Sequence, residues 1–294
     1  MRAPRRKRFG PRSGSTSGAK RPRRKSGHPA ARESSPATPR AGRSSGLRRD
    51  RSRGSSPAPA RKQFPRKRPR DTSAPAIARL LDRQDWSRIR DLIARSGAAP
   101  TSLGQLRDFC SRVIEWNRTV SNLISRNDEG RIVARHLAES LEHAAWLGET
   151  GCRNWVDFGS GAGFPAIPLA IVGVGSGWTL VESRRIKSLF LRKTLESMSM
   201  DGAMKVVNAR LESLAEEGGG FDGFTARAAG NLTETLAHAA KLVNPGGSAF
   251  LWKGSRWTAE LDQGRSWERQ WTHTEHRPLP DSNVVLIKFL RQSV

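Results

Sequence analysis

The chain has 294 residues, enough for one large domain or two modest ones. Its 52 Lys and Arg against 27 Asp and Glu give +25, but residues 1–75 hold 24 of the bases and only three acids, so the other 219 residues are nearly balanced at +4. A uniformly basic globule is therefore excluded. So is a membrane span, because no apolar run reaches the roughly 18 residues that one needs.

Residues 1–75 are built from Arg, Lys, Ser, Pro, Gly and Ala, with Leu47 as their only Leu. Such a segment buries too little apolar surface to offset its ordering entropy, and a disordered basic tail is expected. Runs such as Arg5-Arg6-Lys7-Arg8 and those at 21–25 and 66–70 suit salt-sensitive, sequence-independent contact with nucleic acid. A signal peptide does not fit, since no apolar stretch follows the first basic cluster. A transit peptide would need an amphipathic periodicity that is missing.

From residue 76 the composition changes. Ile77, Leu80, Leu81, Trp86, Ile89, Leu92 and Ile93 predict helix over 76–96, Leu103 to Trp116 continues at the same spacing, and a further helix is expected over 130–147. This gives an N-terminal helical segment, residues 76–150. After Cys152 short apolar runs alternate with amphipathic ones. Strands are predicted at 155–158, 178–182, 205–208, 224–226 and 248–252, and helices at 164–172, 183–198 and 232–242. Alternation of this kind implies right-handed crossovers and a mostly parallel sheet. Runs at 271–277 and 284–290, separated by Pro278-Leu279-Pro280-Asp281, predict a hairpin that closes the sheet with an antiparallel last strand. The class is α/β and Rossmann-like, with the ligand-binding domain at 151–294.

The most informative stretch is Val156-Asp157-Phe158-Gly159-Ser160-Gly161-Ala162-Gly163-Phe164-Pro165. A buried strand runs into three alternate glycines, Gly159, Gly161 and Gly163, and then into a helix with proline in its first turn. Glycines there let backbone approach a ligand at the strand's carboxyl end. A dinucleotide fingerprint would need a glycine at position 164, where Phe164 instead offers an apolar wall. Glu182, at the end of the next strand, has the spacing of an acid that accepts from ribose hydroxyls. Together they argue for an adenosine-containing ligand, most simply S-adenosylmethionine. Cys110 and Cys152 fit neither a disulfide framework nor a metal-ligand spacing, so a reduced, cytoplasmic protein with no metal is expected.

At these residues the chain resembles the RsmG (GidB) methyltransferases, which modify N7 of a guanine in 16S, small-subunit ribosomal RNA. The resemblance rests on Trp116-Asn117-Arg118, Asn122-Leu123, Arg135-His136-Leu137 with Ser140, the loop from Asp157 to Pro168, Glu182-Ser183, Lys187, Phe190-Leu191-Arg192, Phe221-Asp222, Ala226-Arg227-Ala228 and Lys253-Gly254. It spans roughly residues 80–290. Departures occur at Ser121, Ile124 and Thr225, where the family more often has tyrosine, threonine and serine. The resemblance implies a class I methyltransferase with donor contacts at Gly159, Phe164, the Leu211-Glu212 pair around the adenine, and Arg227 beside the methionine end or the entering base. Arg227 is the candidate catalytic residue, and Arg135, His136 and Lys253 are expected on the RNA-facing rim. The partner would be small-subunit RNA or a pre-ribosomal particle, with the protein acting as a monomer.

Guanine N7 is an unprotonated lone-pair donor at neutral pH, so its methylation needs orientation rather than a general base. The Thr225-Ala226-Arg227-Ala228 stretch stands where amino-group methyltransferases carry an Asn/Asp-Pro-Pro-aromatic element, which argues against exocyclic amines. Two alternatives remain at this level: a related methyltransferase acting on another RNA or a small molecule, and a non-catalytic RNA-binding protein that kept the fold.

Overall fold

The computed structural model describes residues 71–217, 219–228 and 230–293; residues 1–70, most of the expected basic tail, lie outside them. Seven strands form one sheet in the order β3-β2-β1-β4-β5-β7-β6. They are β1 (Asn154–Phe158), β2 (Gly177–Val181), β3 (Met204–Val207), β4 (Phe221–Arg227), β5 (Val243–Lys253), β6 (Trp271–Pro278) and β7 (Val285–Arg291). Strands β1 to β5 pair in parallel, while β7 lies antiparallel between β5 and β6. The hairpin expected at 271–277 and 284–290 is present, with its second, more apolar strand inserted against β5.

Alternate residues of each strand point to opposite faces, and both faces are covered. Trp155, Phe250 and Trp252 belong to a core that runs from Ile77 to Leu286, whereas Val156, Ala249 and Leu251 belong to a second core with Phe224 and Leu236. The front helices therefore share a continuous apolar core with one face of the sheet. These are α1 (Ala74–Asp82), α2 (Ser87–Arg95), α3 (Ser102–Thr119), α4 (Ala138–Leu141) and α5 (Ala144–Gly148). The same face carries α6 (Ala166–Ile171) and α7 (Arg185–Ser197), and the other carries α8 (Leu211–Glu217) and α9 (Leu232–Leu242); α10 (Trp257–Asp262) follows β5.

Two helical expectations need correction. The stretch 76–96 is two helices, because the chain turns at 83–86, where the Trp86 indole donates to Leu81 O at 2.9 Å and Asp85 accepts from Ser87 N at 2.8 Å. The stretch 130–147 is not one α-helix: a 3-10 turn (Arg126–Arg131) and a π turn (Val133–Leu137) lead into α4 and α5. Helices α8 and α10, of seven and six residues, are too short to show a periodicity of their own.

Asn117 explains why Trp116-Asn117-Arg118 ends α3. Its buried amide oxygen accepts from Leu123 N (2.7 Å) and Ile124 N (3.0 Å), and its amide nitrogen donates to the Glu129 carboxylate at 2.8 Å. Arg118 Nε donates to the same carboxylate at 2.9 Å. One buried side chain thus folds the loop that brings Leu123 and Ile124 to the site.

Candidate active site

Strand β1 delivers the glycine loop to the carboxyl edge of the sheet, where a cavity of about 380 Å³ opens between the loop and the front helices. Gly159, Gly161 and Phe164 line it, together with Arg135, His136, Arg227 and Lys253. Seven of the expected site residues are therefore brought together.

The three glycines do different jobs. Gly159 and Gly161 have φ of 70° and 54° and border the cavity, so they are needed for both conformation and access. Gly163, at φ 90°, does not border it: a β-carbon there would stand 2.6 Å from Ile167 Cδ1 and 3.3 Å from Phe109 Cζ. The absence of a side chain there serves packing, and of the three expected glycines only Gly159 and Gly161 line the cavity. Phe164 meets Phe109 edge-on, with centroids 5.0 Å apart, and stacks on His136 at 5.3 Å.

Glu182 is buried at the end of β2 and braces the loop. Its carboxylate accepts from Gly161 N at 3.0 Å and from Arg184 N at 2.7 Å, and Asn208 Nδ2 donates to its carbonyl at 2.8 Å. Each carboxylate oxygen keeps a second lone pair for another donor. Leu211 and Glu212 are not brought to the cavity. The Leu211 side chain has no exposed surface and packs in the second core, while Glu212 is exposed, 3.8 Å from His238 Nε2. Only Glu212 of this pair has a side chain open to a ligand.

Arg227 leaves the end of β4 and turns into the front helices. It donates to Arg135 O (3.1 Å), His136 O (3.2 Å), Ser140 Oγ (3.3 Å) and the Glu139 carboxylate (2.7 Å). It satisfies carbonyls of the widened π turn, the kind of irregular turn that often accompanies functional sites. The geometry makes Arg227 a clamp between sheet and cavity wall. Lys253 is also tied down: its ammonium donates to Glu260 (2.8 Å) and to Gly230 O (2.9 Å), and its side chain is 9% exposed. Of the expected rim residues, Arg135 is the open one, 45% exposed and 3.1 Å from Glu139.

Two titratable groups are strongly shifted. Burial lowers His136 to about 4, helped by the Arg227 charge, so its ring is neutral at physiological pH. Burial raises Asp157 to about 7 despite the Thr225 hydroxyl, which donates to its Oδ1 at 2.6 Å. Asp157 Oδ2 is buried without a hydrogen-bond partner beneath the loop.

Sequence reasoning did not single out Glu139. Besides Arg227 and Arg135, this buried acid accepts from Ser282 Oγ at 3.0 Å, and its own carbonyl accepts from the Trp252 indole at 3.0 Å. Its place four residues after Arg135 was a local signal for that one ion pair. Nothing local pointed to Arg227, Ser282 or Trp252.

A family model described as rRNA small subunit methyltransferase G (GidB) matches residues 102–278. Among curated proteins, ribosomal RNA small subunit methyltransferase G of Paracoccus denitrificans is 32% identical over 190 residues, 64% of this chain and 96% of the relative. The protein of the same name from Cereibacter sphaeroides is 33% identical over 193 residues, covering 64% and 88%. That from Rhodospirillum centenum is 36% identical over 181 residues, covering 61% and 81%. Solved structures are looser matches: a precorrin-6y C5,15-methyltransferase from Geobacter metallireducens overlaps 54% of this chain and 92% of its own at 14% identity, with a TM-score of 0.41.

Proposed function

From the premise that the chain belongs to the rRNA small subunit methyltransferase G family, we infer that it transfers a methyl group from S-adenosylmethionine to N7 of a guanine in 16S ribosomal RNA. The observation that carries this reading is the cavity, where a two-glycine backbone edge faces a wall of Phe164 and neutral His136.

The residues present fit such a donor. Gly159 and Gly161 leave backbone exposed where a β-carbon would otherwise project, Glu182 retains acceptor capacity for hydroxyl groups, and Asp157 Oδ2 is an orphaned polar atom under the loop. Gly159, Gly161 and Phe164 would hold it at the cavity, with Glu182 bracing the loop beside them. S-adenosylmethionine supplies, when bound, a methyl group activated by sulfonium. The chain's task is then to align N7 with that methyl group and to exclude water, which is catalysis by orientation.

Arg227 contributes by fixing the cavity wall. Its bonds to Arg135 O and His136 O hold the two residues that face the entering base, and this supports a positioning role over direct contact. His136 stacked on Phe164 presents an uncharged flat surface suited to a nucleobase withdrawn from its stack. Arg135 stands exposed at the rim for phosphate contact. The reading includes action as a monomer, and a ribosomal RNA substrate suits the cytoplasm. No described helix is long and apolar enough to cross a membrane.

Mapping N7-methylated guanines in small-subunit RNA from cells with and without the gene tests the reading. One such guanine should lose its methyl group in the deletion and regain it on complementation. An unchanged pattern would contradict the proposal.

A further inference from the structure

Helix α7 opens beside the glycine loop. Its preceding residue Arg184 donates its backbone N–H to Glu182, and Lys187 Nζ lies 3.9 Å from where a β-carbon would stand on Gly161. The inner face buries Ser188, Phe190, Leu191, Thr194 and Leu195. The outer face carries Arg185, Ile186, Leu189, Arg192 and Lys193, all exposed, with Ile186 at 52% and Leu189 at 45%. Helical spacing puts these on one side, since 185, 189, 192 and 193 follow one another at steps of four, three and one, and 186 lies three residues before 189.

The charge is one-sided. Residues 183–197 contain five cations, Arg184, Arg185, Lys187, Arg192 and Lys193, and a single acid, Glu196, in a body that is otherwise almost neutral. Among the described residues none of the five pairs with a carboxylate, whereas Arg88, Arg118 and Arg227 do. Unpaired cations on an exposed helix repel one another and bring no folding benefit, whereas a polyanion would satisfy them.

We propose that the outer face of α7 is the docking surface for the phosphate backbone of the substrate RNA, laying a strand across the helix so that its target base reaches the adjoining cavity. This rests on the RNA-methyltransferase reading and adds where the RNA is gripped. The cations take phosphates, and Ile186 and Leu189 lie against sugar and base surface between them. Docking here leaves donor binding alone, because Arg185, Arg192 and Lys193 do not line the cavity.

The test uses the full chain and its triple variant R185A/R192A/K193A, with R79A/R83A/R90A on α1, α2 and the turn between them as a control of equal charge change. Affinity for protein-free small-subunit RNA is measured against salt, donor affinity by calorimetry, and folding by thermal melting. The α7 variant should bind RNA about tenfold more weakly at low salt, with the slope of log affinity against log salt reduced by about two for three lost phosphate contacts. Donor affinity and melting should match the parent. An unchanged slope, an equal loss in the control, or a loss seen only on intact ribosomal particles would overturn the α7 assignment while the methyltransferase reading stands. If the parent chain itself neither methylates nor prefers small-subunit RNA, the functional reading fails first and takes this surface with it.

Discussion

Glu139 is 6% exposed at its side chain and faces two guanidinium groups, Arg227 at 2.7 Å and Arg135 at 3.1 Å. Removing it leaves the 15%-exposed Arg227 charge in the protein without its carboxylate, a change that typically costs about 3–5 kcal/mol. Glu139→Ala should lower stability by that order in urea denaturation, and Arg227→Ala should reduce the methylation rate by disordering the π turn. Two pH effects belong at this scale and have opposite signs. His136 is depressed from 6.5 to about 4, so the unfolded chain binds the proton more readily and stability falls as pH drops from 6.5 toward 4. Asp157 is raised from 3.8 to about 7, so the folded chain holds the proton more tightly and stability falls as pH climbs from 3.8 toward 7. Asp157→Asn should therefore be more stable relative to the parent at pH 8 than at pH 4, by chemical denaturation at both. An identical difference at the two pH values would remove Asp157 as the titrating group.

Elements differ in how far their sequence reveals them. The central strands and α9 were legible because burial on both faces, or on one helical face, leaves runs and spacings that tertiary contacts do not alter. The π turn was illegible because its carbonyls bond to Arg227, about ninety residues away in the chain. The glycine loop was legible as a strand-to-helix turn that borders the cavity, yet its third glycine serves the packing of α3 through Phe109. Gly163→Ala meets both a positive φ and a 2.6 Å contact with Ile167, and should cost about 1–3 kcal/mol by the overpacking range, with donor affinity falling as the loop shifts. Asn117→Leu strands the N–H groups of Leu123 and Ile124; at about 1–3 kcal/mol for each buried unsatisfied group it should destabilise the fold measurably on thermal melting. The Leu211-Glu212 pair opens α8 away from the cavity, which was illegible because a resemblance places residues after a strand without saying which side chain turns inward.

Charge is unevenly distributed along the whole molecule. The core that runs from Ile77 to Leu286 makes the helical front and one face of the sheet a single apolar unit, and the near-neutral body holds the cavity. The surplus of 21 charges sits in residues 1–75. Deleting residues 1–70 should weaken RNA binding and flatten its salt dependence while leaving donor affinity unchanged, and equal RNA affinity at low salt would deny the tail that role. The central claim is a chemical one and is tested most directly with purified full-length protein, small-subunit RNA and S-adenosylmethionine labelled in its methyl group. After digestion to nucleosides, the label should appear in 7-methylguanosine alone; label on an exocyclic amine or a ribose, or none at all, would contradict the account.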